Sequence, residues 1–416
     1  MVTYEKPLYI LVFITLLIIL SVALLKDGLV KSFEGFLLLQ THPARLISDF
    51  TVIGGVGGAL MNAFVLGTFA LLLVRFNDIR LSGPTIAGIF TIVGFSLFGK
   101  TPLNALPIMG GVFLAGKAMD KPFKNYMMFA LFGTALGPLV TFLIAEAGLS
   151  GFPAIASGII GGAIAGFLLP ALAMAMLRMH EGFNLYNIGL TSGFLGLFIG
   201  AILVSSGRDV EVKIIWNQEK IPELIYLFPL LCLFFILWGI VTDGGNTLKN
   251  LKRIYKQTGR LPSDFMESGG PGAALVNAGL LGLAGSLYLF LIGADFNGPV
   301  LGGLFTVLGF ATFGKHPRNC WSVSLGVVGA TLLFGKSLCA PGPVLAFLFA
   351  TTLAPLAGEF GPFIGLAAGF LHLTLVEQTA AWHGGLDLYN NGFSGGLTVT
   401  FMVALIQWAR SKTRTK

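Results

Sequence analysis

The sequence predicts an all-α integral membrane protein of two inverted repeats, each with about five spanning helices plus re-entrant or broken helices. Composition gives the first reason: 55% of the 416 residues are hydrophobic and 11% charged, against roughly 25% charged in a soluble domain. Mean hydropathy is +0.84. The apolar runs are continuous rather than alternating, which suits helices and not a barrel. Repetition is the third reason, because FGKTPLNALPIMGGVFLAGK at 98–117 returns 215 residues later as FGKHPRNCWSVSLGVVGATLLFGK at 313–336. Repeats of this kind in a membrane chain point to transport.

Residues 8–25 read as a retained first span, not a cleaved signal, because Leu224 to Val241 occupies the same place before the second repeat. A polar loop follows, ending in Arg45-Leu46-Ile47-Ser48-Asp49-Phe50, twinned with Arg260-Leu261-Pro262-Ser263-Asp264-Phe265. Gly-rich stretches at 54–60 and 269–275 lead into spans ending near Val74 and Ile292, and Asn62 repeats as Asn277. The next arms, 83–98 and 103–118, make roughly 23 Å of helix each against a ~30 Å hydrocarbon core. They read as a re-entrant hairpin or broken helix around the Lys-x-Pro-x-Asn tip, or as two ordinary spans joined tightly. Later spans at 127–146, 154–178 and 186–205 match 343–357, 361–381 and 389–408.

Five or seven segments per half are both odd numbers, so the second half enters the membrane upside down. The predicted division is a first repeat 1–205, an extracytoplasmic connection 206–223, and an inverted second repeat 224–416. Lys249, Lys252, Arg253, Lys256 and Arg260 crowd the loop 243–264, and Arg410, Lys412, Arg414 and Lys416 the tail. Both are expected on the cytoplasmic side, giving a multi-pass protein of the cell membrane with both termini cytoplasmic. The net charge of +7 therefore reflects orientation in the bilayer, the expected partner, and implies no nucleic acid. Cys232, Cys320 and Cys339 have neither disulfide nor metal spacing.

Two polar markers interrupt the apolar sequence. Lys100 and Lys315 are costly at membrane depth unless paired or wet. Asn104 and Asn319 are placed to cap the next helix so that its amides face a substrate, and His316 and Arg318 add charge only in the second copy. The second marker is His180, Glu181, Tyr186 and Asn187, matched by His383, Asp387, Tyr389 and Asn390. Helix is hard to sustain there, and broken backbone at depth must be buried or line water. The histidines are candidate hydrogen-bonding groups or proton carriers, the tyrosines an aromatic wall, and the asparagines caps. Glu377 and His372 lack polar counterparts in the first half and are the candidates for ion coupling.

The passages leading into residues 181–193 and 384–396 resemble the urea-transporter family's small-residue span and its Gly-Leu-Tyr-Gly-Tyr-Asn-Gly signature. That resemblance implies five-plus-five inverted repeats, a pore within each protomer and oligomers of complete pores. Glu181 and Asp387 depart from the signature, and the family's Leu-Pro-Phe threonine motif is missing. The whole chain also resembles an uncharacterised family of bacterial and archaeal membrane proteins with paired Phe-Gly-Lys-x-Pro motifs. Val328-Gly329-Ala330-Thr331 is similar to the flavin-attachment motif of the sodium-pumping quinone reductases, which share the fold, but lacks its first hydroxyl.

The expected function is a channel or transporter for a small polar solute or ion, with its pathway between the repeats. A homo-oligomer is the possible assembly. No enzymatic activity, cofactor or metal is expected, since no HExxH, GxSxG, P-loop or dinucleotide motif occurs. The alternative is an integral membrane enzyme or flavin-bearing redox subunit.

Overall fold

The computed structural model describes residues 5–414. The first half contains α1 (Glu5–Thr41), α2 (Gly55–Phe76), α3 (Gly83–Phe95), α4 (Pro102–Ala118), α5 (Phe123–Ala145, with a 3-10 turn inside it), α6 (Gly151–His180) and α7 (Asn187–Ser205). The second contains α8 (Pro222–Asp243), α9 (Thr247–Ile254), α10 (Pro271–Ile292), α11 (Gly298–Phe310), α12 (Pro317–Leu333), α13 (Pro341–Phe360), α14 (Pro362–Trp382) and α15 (Asn390–Arg414). Among the described residues ten helices are long and apolar enough to cross a membrane, five per half. The protein is thus all-α and membrane-embedded, and large apolar side chains such as Ile160, Ile164, Leu237 and Phe290 lie exposed on its helices.

One local expectation is corrected. The polar loop after the first span is helical to Thr41, with the helix broken only at Gly28, where φ is 73°. Ser32 and Asp27 fold back onto α2: the Ser32 hydroxyl reaches Ala23 O, and the Asp27 carboxylate accepts from Gly57 N at 2.6 Å. Asp27 and Ser32 thus pack onto the Gly-rich start of α2, while Lys26, Lys31 and Glu34 stay exposed.

Glycine is abundant because the helices touch backbone to backbone. A Cβ at Gly111 would fall 2.0 Å from Ala163 O and one at Gly166 2.1 Å from Ile108 O, which locks α4 against α6. Gly326 and Gly369 do the same between α12 and α14, at 2.1 Å from Leu366 O and 1.9 Å from Val323 O.

The short helices α3 and α11 lie at the centre and run antiparallel. Gly83, at the start of α3, meets Thr312 just past the end of α11, and Gly298, at the start of α11, meets Leu97 just past α3. Phe90 and Phe305 stack between them with centroids 6.2 Å apart. Their N-termini are capped reciprocally from the opposite half: Asp264 accepts from Gly83 N at 3.2 Å, and Asp49 from Gly298 N at 3.3 Å. Carboxylates at helix N-termini are electrostatically favourable. Burial pushes both carboxyls above the usual aspartate range, while N–H donors, those of Thr51 and Met266 among them, oppose the rise.

The contact set maps onto itself when the halves are exchanged, so the halves are related by a pseudo-twofold axis lying across α3 and α11. The same axis passes between α7 and α15, whose Gly189 and Gly392 abut. At 13 residues, α3 and α11 are each about 20 Å long, and their turns at 96–101 and 311–316 are buried. The α3–α4 and α11–α12 hairpins therefore turn inside the protein, with covered tips.

Contacts also sort the two faces. Glu181, Arg260 and Gln407 interlink, and Arg80 pairs with Glu267 on the face shared by the start of α1, the 243–264 segment and the end of α15. The 206–221 segment lies on the opposite face, where Lys26 pairs with Glu223 and Arg45 with Glu146.

Gly302→Val tests the central contact, since a Cβ there would sit 2.2 Å from Phe98 and 2.8 Å from Gly94 O. Overpacking of this kind costs ~1–3 kcal/mol and should lower the melting temperature in detergent. Gly110→Ala, with nothing within 4 Å, should leave it unchanged or raised.

Candidate functional site

Each hairpin tip is held by an asparagine in the preceding span. Asn62 Nδ2 donates to Ser96 O and Lys100 O, both at 2.7 Å, and Asn277 Nδ2 to Ala311 O and Lys315 O at 2.8 and 2.7 Å. The tips deliver Lys100 and Lys315 to the interior, where both are 0% exposed. Each Nζ lies 4.4 Å from a tyrosine centroid supplied by the other half, Lys100 over Tyr389 and Lys315 over Tyr186. Lys100 also donates to the Tyr389 hydroxyl, while Lys315 donates to Tyr186 Oη at 2.5 Å and to Thr351 Oγ1 at 2.7 Å. Neither lysine forms an ion pair among the described residues.

The asparagines of the Lys-x-Pro-x-Asn motif do not cap. Thr101 and His316 are the N-caps, and Asn104 and Asn319 sit three residues inside, each returning its Oδ1 to the cap residue's N–H at 2.9 Å. This capping box closes the amides on themselves, so they do not face a substrate. His316 accepts from Asn319 N at Nδ1 and reaches Gln257 O at Nε2, which makes it a neutral structural cap.

The second marker forms a duplicated network. His180 Nε2 meets Asn187 Oδ1 at 2.9 Å and His383 Nε2 meets Asn390 Oδ1 at 3.1 Å. Their Nδ1 atoms accept from Asn184 N and Asp387 N, both at 3.3 Å. A ring nitrogen that accepts carries no proton, so both rings are neutral Nε2–H tautomers pinning broken backbone rather than carrying protons. Asn187 and Asn390 are the first helical residues and not caps; their Nδ2 atoms donate to Ala173 O and Val376 O.

Tyr186 and Tyr389 do face open space. They border a cavity of about 200 Å³, lined chiefly by Phe95, Phe132, Phe310 and Phe349, with Thr91 and Thr306 as polar points. Asn187 and Asn391 contribute at its edge, but Asn390, the lysines, His180, His383 and Asp387 do not line it. The wall is aromatic where the sequence suggested convergent charge. Phe95 and Phe310 were visible in advance as repeated Gly-Phe pairs; Asn391 was missed because its counterpart is Ile188, and it is tied to His372 at 3.0 Å.

The cavity shares Pro84, Asn187 and Leu261 with an open vestibule of about 650 Å³ that reaches Arg178, Glu181 and Ser263. The symmetry-related space is filled instead. Leu46, Ile47, Phe98 and Leu345 pack together with Trp216 over them. The 206–221 segment is stitched down by Ile215 N to Ile47 O at 2.9 Å, Asn217 N to Asp49 Oδ2 at 3.1 Å and Trp216 Nε1 to Asp295 Oδ2 at 3.2 Å.

Other candidates lie apart. Glu181 is a surface residue bound to Arg260 and Gln407, and Glu377 pairs with Lys336. His372 is buried in α14 with Nδ1 unpartnered. No cluster of three metal-ligating side chains occurs among the described residues, and the Thr331 hydroxyl is buried against Val327 O.

These features define a multi-pass helical membrane protein with an aromatic cavity between its two halves. The chain belongs to the family described as "Protein of unknown function (DUF1576)", matched over residues 29–205 and 244–408. No match was found among curated proteins or solved structures.

Asn277→Leu should cost ~1–3 kcal/mol for each of the two buried carbonyls it abandons, read as a lowered melting temperature. His180→Phe, which unpins both Asn184 N and Asn187, should also lower the melting temperature.

Proposed function

We propose that the protein carries a small neutral solute across the membrane through the cavity between its halves. The observation that supports this most is the cavity's asymmetry: aromatic walls, a vestibule on one face that shares Pro84, Asn187 and Leu261 with it, and Leu46 and Ile47 buried beneath Trp216 on the other. A site open to one side only is the form a carrier takes at one stage of its cycle. The lining suits a solute with both polar and apolar edges better than an ion, which needs oxygen ligands or water. The likeness of the 181–193 and 384–396 segments to the urea-transporter signature agrees with a small amide or polyol. By the distribution of basic residues the vestibule faces the cytoplasm, and both termini lie there too. One chain holds the whole cavity, so the reading needs no partner copy.

Osmotic shrinkage of proteoliposomes, followed by light scattering after mixing with urea, acetamide or glycerol, tests this. At least one of these solutes should enter faster than into protein-free vesicles; equal rates for all three overturn the reading. Ile188→Trp should fill the cavity and reduce that entry to the protein-free rate while the protein still elutes as a folded species.

A further inference from the structure

The broken segments of the two halves share their histidine bonds, from Nε2 to Asn187 or Asn390 and at Nδ1 from the backbone N–H of Asn184 or Asp387. In the first half Asn184 uses its whole amide: Oδ1 accepts from Tyr186 N at 3.1 Å and from Thr352 Oγ1 at 2.6 Å, and Nδ2 donates to Gly392 O at 3.1 Å across the axis. In the second half the residue is Asp387. Its Oδ1 accepts from Tyr389 N at 3.0 Å, as expected, but Oδ2 is fully buried and has no partner among the described residues. By the pseudo-twofold, that oxygen corresponds to Asn184 Nδ2, and the carbonyl of Gly189 to that of Gly392. Two acceptors brought together in a dry interior repel.

We propose that Asp387 is a proton-binding site: its carboxyl carries a proton that donates where Asn184 donates through an amide, and release of that proton accompanies movement of the solute. This rests on the transport reading above. The groups around Asp387 leave it no other donor. His383 gives up Nδ1 to Asp387 N. Lys100, from the hairpin tip, acts on it electrostatically but is committed to Tyr389 and forms no ion pair. From α7, Gly196 and Gly200 bring no charge. Arg45, beside Gly385, is bound to Glu146 and Glu211 O.

The step balances with water alone: the Asp387 O–H breaks, water takes the proton as hydronium, and the carboxylate that remains has the Lys100 ammonium as countercharge. The carboxylate then repels the Gly189 carbonyl and loosens the α7–α15 contact. The 206–221 segment covers this end of the site, because Gly384 lies under Val210 and Gly385 against Leu46. Proton and solute are thus both closed off from that face while the cavity opens the other way, so both are released on the side to which the cavity opens.

Infrared difference spectra of wild type against Asp387→Asn in proteoliposomes at pH 7 should contain a protonated-carboxyl C=O band, and Asp387→Glu should shift it. Asp387→Asn is built to fold, since its amide repeats Asn184. Absence of the band from the wild-type spectrum overturns the proposal without touching the transport reading. With pyranine trapped inside, the solute that enters fastest among urea, acetamide and glycerol should acidify wild-type vesicles and leave Asp387→Asn vesicles at the rate of empty ones. Solute entry without acidification overturns the coupling and leaves carriage standing. A carboxyl band with no entry of any solute overturns carriage. A melting temperature that differs between equal concentrations of Na⁺ and K⁺ in wild type, but not in Asp387→Asn, overturns the proton assignment in favour of a cation.

Discussion

Backbone that leaves the helix at membrane depth must find every hydrogen bond inside the protein, because lipid offers none. The rest of this structure follows from that constraint. Four irregular stretches meet near the pseudo-twofold axis, the two hairpin tips and the two broken segments, and each is closed by side chains chosen for the purpose. Asn62 and Asn277 bind the tips, His180 and His383 bind the breaks, and Asp49 and Asp264 cap the short helices of the opposite half. What remains after this closure is an aromatic chamber.

Much of this arrangement was legible. Duplication at fixed offsets, the odd number of segments and the short arms led to an all-α membrane protein of two inverted halves, with the short arms left as re-entrant, broken or tightly joined. Lys100 and Lys315 meet Tyr389 and Tyr186 across the two halves, whereas Glu181 lies at the surface. What sequence could not distinguish was a polar residue that lines a cavity from one that satisfies backbone behind its wall. Asn104, Asn319, His180 and His383 were read as candidates for the pathway, yet they are consumed by local amides and carbonyls. The spacing was informative but the direction of each side chain was not, since a capping box and a substrate-facing cap have the same residues in the same order.

Asymmetry between the halves carries the information that symmetry hides. Asn184 and Asp387, Ile188 and Asn391, Leu169 and His372 occupy equivalent places with different chemistry. Glu377 and Glu181 drew notice because they were acidic and unmatched, but salt bridges at the periphery account for them. Asp387 was the substitution in which the histidine and tyrosine bonds stayed the same while the donor disappeared. The buried lysines differ in the same way, because only Lys100 has a carboxyl within electrostatic reach; Lys315 relies on hydroxyls and aromatic faces.

The reciprocal docking of lysine and tyrosine has a consequence for biosynthesis. Lys100 waits for Tyr389, which follows it by 289 residues, so the first half leaves the ribosome with an unsatisfied ammonium and open helix ends. Insertion must therefore tolerate a half-built bundle until nearly the last helix arrives, and a nascent chain stalled before that point presents a polar seam for the membrane's quality-control proteases to recognise.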